Sequence, residues 1–204
     1  MLAEYRTGPI ISSDGAVNPG RVDKLGAVVT TDAHGRYQEA TIRGNVFSAS
    51  NQAAQAVSVA LATTYTGLCI SNPLGNTKNL VMLGCQYALT AAPAGIASLH
   101  LIAGFSATAN VTHTAALAAP GIQNGLIGTG PNSTAKADSS ATIVAPGYLI
   151  PLVSGFTAAA LPSMSTGWID LGGMFIIPPG GWIAIGALTA VTGFGGFTWE
   201  EVAI

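Results

Sequence analysis

GWIDLGGMFIIPPGGWIAIGALTAVTGFGGFTWEEVAI, residues 167–204, is the stretch that decides the fold class. Two short apolar runs, Met174–Ile177 and Trp182–Leu188, lie on either side of the sequence PPGG at 178–181. Proline followed by glycine is typical of a tight turn, and the β-branched and aromatic residues beside it favour strands. A third strand-like run, 197–202, follows a glycine-rich loop. The pattern predicts a strand, a turn and a returning strand, which we interpret as the closing strands of an antiparallel sandwich.

Short strand candidates occupy most of the chain before this stretch. Arg36–Phe47 is one, and the clearest is Leu80–Leu89, whose odd-numbered residues form an unbroken apolar face with the period of two that a strand requires. Residues 106–142, rich in Ala, Thr and Gly, are interpreted as a long loop excursion with a short helix near Thr114–Ala119. Eight or more short strands with little helix predict an all-β, jelly-roll-like antiparallel β-sandwich preceded by an extended N-terminal arm.

Charge divides the chain into two parts. Only 8% of the residues are charged, where about a quarter is typical of a soluble domain. Ten of the sixteen charged residues lie in 1–43, and 44–204 holds the other six: Lys78, Lys136, Asp138, Asp170, Glu200 and Glu201. This division predicts an extended, charge-bearing arm at 1–43, leading into the first strands, and a jelly-roll-like body at 44–204.

The basic residues of the arm are its predicted contacts to a protein partner. They are Arg6, Arg21, Lys24, Arg36 and Arg43. Five acidic residues in the same segment balance them, and the net charge of the whole chain is −2. Because no overall basic field is present, nucleic acid is not a predicted partner.

The strand Trp182–Leu188 is apolar on both faces, with Trp182 and Ala184 on one and Ile183 and Ile185 on the other. A sandwich buries one face of each strand against the opposite sheet. An apolar second face therefore predicts that another copy of the chain covers it. We expect a homo-oligomer, in particular a homotrimer, with Trp182, Ile183, Ile185 and Trp199 at the interface.

Residues able to support catalysis are sparse in the body. Glu200 and Glu201 are adjacent, so a strand would point them to opposite faces. The three histidines, His34, His100 and His113, lack the spacing of a metal site. The two cysteines, Cys69 and Cys85, are expected to be reduced core thiols. The sequence therefore predicts a protein that is not an enzyme and has no metal site and no cofactor.

No membrane association is expected either. The longest apolar stretches are interrupted by proline and glycine, and they have the length of strands where a spanning helix needs about 20 apolar residues. The beginning of the sequence, MLAEYRTGPI, lacks the basic and apolar regions of a secretory signal. We therefore expect the protein to be made and kept in the cytoplasm until it joins an assembly.

The charged N-terminal arm, a segment at 43–75 and the closing part of the chain carry a resemblance to a known group of proteins. RGNVFSASNQAAQAVSVALATTYTGLCISNPLG at 43–75, together with FIIPPGGWIAIGAL at 175–188 and TWEEV at 198–202, resembles the jelly-roll virion proteins of tailed bacteriophages. The resemblance implies a structural protein at the capsid surface of the virion. It implies foremost a capsid decoration (cement) protein that binds and stabilises the lattice of the major capsid protein through its arm and trimeric body.

A receptor- or glycan-binding module of a head fibre or tail spike is the alternative function. It would use aromatic residues together with the excursion at 106–142 as a recognition surface, the aromatic residues being Trp168, Trp182, Phe194, Phe197 and Trp199. Aromatic residues on terminal strands also occur as core or subunit contacts, so the sequence leaves both roles open.

Overall fold

The computed structural model describes residues 35–93, 95, 97–118, 121–130, 132–156 and 167–204. The chain divides into two units, 1–39 and 40–204, and the strands belong to the second. Most of the predicted arm, including Arg6, Arg21 and Lys24, lies outside the described residues. The elements are α1 (Gln38–Ile42), β1 (Val46–Ser50), β2 (Gln55–Val57), β3 (Thr64–Ser71), β4 (Lys78–Leu89), β5 (Ala97–Phe105), β6 (Thr112–Ala116), β7 (Ile122–Asn124), β8 (Lys136–Thr142), β9 (Gly147–Phe156), β10 (Gly167–Asp170), β11 (Ile176–Ile177), β12 (Gly181–Ala187) and β13 (Val191–Ala203).

The strands form two antiparallel sheets. Sheet one has the order β10-β4-β13-β1-β7, with β11 added beside β4 and β2 beside β13. Sheet two has the order β6-β8-β3-β12-β5-β9. Their facing sides bury one hydrophobic core that draws on both sheets, including Phe47 and Trp199 from sheet one and Ile183 and Leu101 from sheet two. The predicted all-β antiparallel sandwich is confirmed.

The turn at the two prolines is present, but it does not make a hairpin. Gly181 N donates to Pro178 O at 2.9 Å, and Gly180 has a φ of 86°, as the third residue of a type II turn requires. The strand before the turn, β11, pairs with β4 in sheet one, whereas β12 lies in sheet two. The predicted pairing across the turn is therefore wrong, because the turn carries the chain from one sheet to the other.

The predicted strand Arg36–Phe47 is also wrong, since helix α1 occupies its middle and β1 begins only at Val46. Gly44 ends the helix with a φ of 72°. Its N–H donates to Thr41 O, and the N–H of Asn45 donates to Ala40 O. This pair of hydrogen bonds is the Schellman motif, which a glycine in the left-handed region allows.

Strand β4 keeps the predicted apolar alternation only in its second half. Cys85, Tyr87 and Leu89 point into the core as expected, but Leu80 and Met82 replace Val81 on the inner side. The pairing with β13 shifts register between Thr198 and Trp199, which oppose Gly84 and Met82. This bulge adds one residue to β4 at Leu83, and one extra residue exchanges the two faces of a strand.

The excursion at 106–142 is more regular than the sequence predicts. It contains β6, β7 and β8, and β6 occupies the place of the predicted helix at Thr114–Ala119. β6 pairs with β8 at the edge of sheet two. Alanine and threonine have no strong preference against a strand edge, so pairing with β8 decides the local structure.

Candidate interaction surfaces

The four residues predicted to form a subunit interface lie inside the chain's own sandwich. Trp182, Ile183, Ile185 and Trp199 are each at most 1% exposed. A side chain that is already buried has no surface left to offer to a second copy. The placement of the interface at these residues is therefore corrected, while the homotrimer itself stays a prediction.

The second apolar face of β12 is covered by the same chain. Trp182 and Ala184 belong to a second buried cluster on the outer face of sheet two, whose other members are Tyr65, Cys69, Ile102, Val111, Ala141 and Ile143, with Leu61 packed against them. The indole Nε1 of Trp182 donates to Val144 O at 2.9 Å. Segments between the strands, around Leu61, Val111 and Val144, thus supply the cover that the sequence alone attributes to another subunit.

Of the predicted basic contacts, Arg36 and Arg43 fall within the described residues, and both are exposed. Arg6, Arg21 and Lys24 lie outside those residues, so their predicted role stays a prediction.

An apolar groove opens on the surface near the Pro178 turn. It has a volume of about 420 Å³ and is lined by residues of β5, β9 and β11 and the segment before β11. Four large side chains on it, Phe105, Leu149, Met174 and Ile176, are exposed. In the sequence, these four residues appear only as members of apolar strands. Met174 and Ile176 are two residues apart and therefore share one side of a strand, which is the signal that could have placed both outside.

The outer face of sheet one is polar and open by contrast. Of the six aromatic residues in 167–204, Trp182, Phe197 and Trp199 are buried, Phe175 and Phe194 are half-buried, and Trp168 on β10 is exposed. Two neighbouring clefts of about 350 and 360 Å³ lie on this face.

A buried carboxylate at the edge of sheet two has a histidine partner. Asp138 on β8 is fully buried, and its Oδ2 lies 2.7 Å from Nδ1 of His113 on β6. Both residues line a cavity of about 440 Å³. Only the strand register brings them together, so the sequence offers no local signal for the pair.

The hydroxyl and the thiol described near the His113–Asp138 pair, those of Ser133 and Cys69, are not placed as nucleophiles for it. Ser133 also lines the cavity, but its hydroxyl donates to Glu201 Oε1 at 2.7 Å. Cys69 lies opposite Asp138 on β3, yet burial, with a contribution from Asp138, raises the pKa of its thiol. The pair orients an imidazole beside a cavity without completing a site for acyl transfer. The non-enzymatic role stays a prediction.

A second buried carboxylate links the last strand to the excursion. Glu201 on β13 accepts hydrogen bonds from Lys78 Nζ at 3.0 Å, from the hydroxyls of Ser133 and Thr134, and from the N–H of Thr134 at 2.9 Å. Burial alone would raise the pKa of Glu201, but these hydrogen bonds outweigh it and hold the pKa below its ordinary value. The carboxylate is a structural anchor, since every donor around it belongs to the fold.

Both cysteines are free and buried, as predicted. Cys85 faces the core between the sheets, whereas Cys69 belongs to the cluster on the outer face of sheet two. Burial raises the pKa of Cys85 to about 12. Both therefore stay protonated at neutral pH.

Two further classes of site were sought in the described part of the chain. No group of three or more His, Cys, Asp or Glu side chains there could hold a metal ion. Within the same residues, no helix is both long enough and apolar enough to span a bilayer.

Comparison with protein-family models, with curated protein sequences and with solved structures found no match to this chain. Arguments about function therefore depend on its own surfaces.

Proposed function

We propose that the protein is a structural protein of a phage virion, in the first place a capsid decoration (cement) protein that binds and stabilises the major capsid protein lattice. The observation that carries the proposal is the nearly uncharged surface of the body. Residues 44–204 hold six charged side chains, and two of them, Asp138 and Glu201, are buried. Only Lys78, Lys136, Asp170 and Glu200 remain to hydrate the surface, where charged residues make up about a quarter to a third of a typical one.

The apolar groove supports a protein partner in particular. Phe105, Leu149, Met174 and Ile176 place four large exposed apolar side chains around one depression. Contiguous apolar surface of this kind is typical of protein interaction sites. We propose that the groove contacts the capsid lattice or a second copy in the proposed homotrimer.

The strand order supports the jelly-roll part of the proposal. Within the two sheets, β1-β13-β4-β10 lie side by side in one and β3-β12-β5-β9 in the other. Consecutive strands of this set mostly switch sheets, as in a sandwich built from two interleaved Greek keys. Jelly rolls of eight strands occur in viral capsid domains, although fold alone does not determine function.

The proposed mechanism is mass action. A protein that binds the assembled shell and not the free subunits stabilises the shell, by an amount that grows with its concentration relative to its dissociation constant. The arm at 1–43, with Arg36 and Arg43 exposed at its end, would extend the contact to neighbouring capsid subunits. The body would hold the arm in place as a trimer.

Co-sedimentation with capsids that lack the protein tests this proposal. We expect the full chain to bind, and we expect deletion of residues 1–25 or the double variant Met174→Asp/Ile176→Asp to reduce bound protein at least tenfold. Ile127→Asp is the matched control, because Ile127 is 87% exposed and is not part of the groove. Undiminished binding by both altered proteins would contradict the proposal. Sedimentation velocity of the free protein tests the trimer separately.

A receptor- or glycan-binding module of a fibre or spike is the second candidate, and the exposure of Trp168 favours it. Copy number separates the two roles, since cement proteins are present in amounts comparable to the capsid protein and fibres in far smaller amounts. Quantitative mass spectrometry of purified particles makes this comparison.

A further inference from the structure

The outer face of sheet one carries a groove that the proposed capsid contacts do not use. Two clefts lie side by side on it and share Ser50 and Gln86. The first also contains Trp168, and the second also contains Ser48 and Gln123. The five strands β10-β4-β13-β1-β7 span about 19 Å across, at about 4.8 Å per strand. The groove is therefore long enough for a chain of several small units.

Trp168 forms a flat platform at one end of the groove. It is 52% exposed, and its indole lies so close to Gly84 that any side chain at that position would collide with the ring. Glycine in a central strand weakens the strand and often marks a close approach. Here it lets one face of the indole rest on the backbone of β4, while the rest of the ring stays open to solvent.

Gln86 is the central polar group of the groove. It pairs with Trp168 on one side and with Gly196 on the other, and a side chain at Gly196 would come within 2.8 Å of Gln86 Cγ and Nε2. The glutamine therefore lies over a glycine, which limits its movement. Its exposed amide makes no hydrogen bond with the described part of the chain, so one acceptor and two donors are available.

Further uncharged polar groups surround it. Asn51 lines the second cleft, and its Oδ1 accepts from Gly195 N at 2.9 Å. Its Nδ2 is buried and has no partner among the described residues. A buried donor without a partner is uncommon in native proteins, but this one lies on the inner side of sheet one, where Gly195 faces Ile185 and Leu68, so Gln86 supplies the amide that a ligand in the groove can reach.

None of the residues lining the two clefts carries a charge at neutral pH. An anionic or cationic ligand would find no counter-charge there, and a wholly apolar one would cover the Gln86 amide without pairing it. A saccharide presents both an apolar C–H face and a rim of hydroxyls. An exposed indole packs against the first, and amides and hydroxyls bind the second.

We propose that the groove defined by Trp168, Gln86, Ser50, Ser48 and Gln123 binds a neutral oligosaccharide. Trp168 stacks on one sugar ring, and Gln86 hydrogen-bonds the hydroxyls of the same or the next unit. This activity is independent of capsid binding, because the groove shares no lining residue with the apolar groove proposed to contact the capsid. A decoration protein and a fibre module can both carry it.

Binding of the full-length protein to a glycan array tests the proposal. The array carries neutral oligosaccharides of glucose, galactose, mannose, rhamnose and N-acetylhexosamines, with sialylated and uronic acid glycans as the charged comparison. We expect binding to be confined to neutral members. The strongest of them is then titrated by calorimetry. Trp168→Ala and Gln86→Ala should each weaken binding at least tenfold, with melting temperatures near that of the parent protein.

Phe105→Ala is the matched control, since Phe105 is an aromatic residue of the other sheet with 54% exposure. It should bind the saccharide like the parent protein. Absence of binding to every neutral member, or full affinity in Trp168→Ala, would overturn the proposal. So would a change in oligomeric state in Trp168→Ala and Gln86→Ala, because the face would then be an interface between copies. Loss of capsid binding in the Met174→Asp/Ile176→Asp variant leaves the saccharide result unaffected.

Discussion

The outer faces of the two sheets differ in polarity and in exposure to solvent. The outer face of sheet two is apolar and is buried under segments of its own chain around Leu61, Val111 and Val144. The outer face of sheet one is polar and open, with Gln86 and Trp168 exposed. The strand patterns differ accordingly, since β12 is apolar on both faces and β4 carries the polar Gln86 on its outer face.

This difference shows that an apolar second face predicts a cover without identifying what provides it. Sheet two receives its cover from the long connections of the fold. The surface left for a partner is elsewhere, at the groove with Phe105 and Met174 and on the face with Trp168.

The largest expected effect contrasts two tryptophans. Trp182→Ala should lower the free energy of unfolding by about 4 kcal/mol, because it removes a fully buried ring and leaves a cavity. Trp168→Ala should lower it by less than about 1 kcal/mol, because the ring is half exposed. Urea denaturation of the two variants measures both values. Equal losses would contradict the assignment of covered and open faces.

A second test contrasts neighbouring residues of β13. Glu201 is buried with its hydrogen bonds, and Glu200 points to the opposite, open side. Glu201→Gln should cost about 2 kcal/mol of stability at pH 7, while Glu200→Gln should stay within about 0.5 kcal/mol of the parent protein.

The stability that Glu201 contributes should depend on pH in a defined direction. The pKa of Glu201 is lower in the folded protein than in the unfolded chain. Its stabilisation is therefore present above the ordinary carboxyl pKa of about 4.3 and is lost as the pH falls through the folded value. The difference in stability between the parent protein and Glu201→Gln should therefore shrink as the pH falls below about 4.3. A constant difference would exclude the carboxylate as its source.

The smallest expected difference is in the reactivity of the two cysteine thiols. Cys69 under the cover of sheet two and Cys85 between the sheets should both react with Ellman's reagent only through unfolding, because burial raises both pKa values. Single variants Cys69→Ala and Cys85→Ala separate the two rates. Fast reaction of Cys69 alone would show that the segments around Val111 open without global unfolding.

The sequence predicts the fold class well because alternation and turn residues are local signals. The type II turn at 178–181 follows from its Pro-Gly order, and the burial of Cys85, Tyr87 and Leu89 follows from a period of two. The bulge at Leu83 and the sheet switch after β11 depend on pairing with distant strands, which no local pattern encodes.

The candidate sites are less accessible from the sequence for the same reason. Trp168 and Trp182 look alike along the chain, and only the fold places one on Gly84 and the other under Val144. Asp138 and His113 are 25 residues apart, and the β6–β8 register brings them together.

The position of β12 and β13 has a consequence for biosynthesis. Each lies in the interior of its sheet, yet both are translated after every other described strand. Until they are synthesised, β3 and β5 lack β12, the strand that pairs with both, and β1 and β4 lack β13 in the same way. Neither sheet can close until these two strands emerge, so we expect the nascent chain to complete its fold only after β13 has left the ribosome.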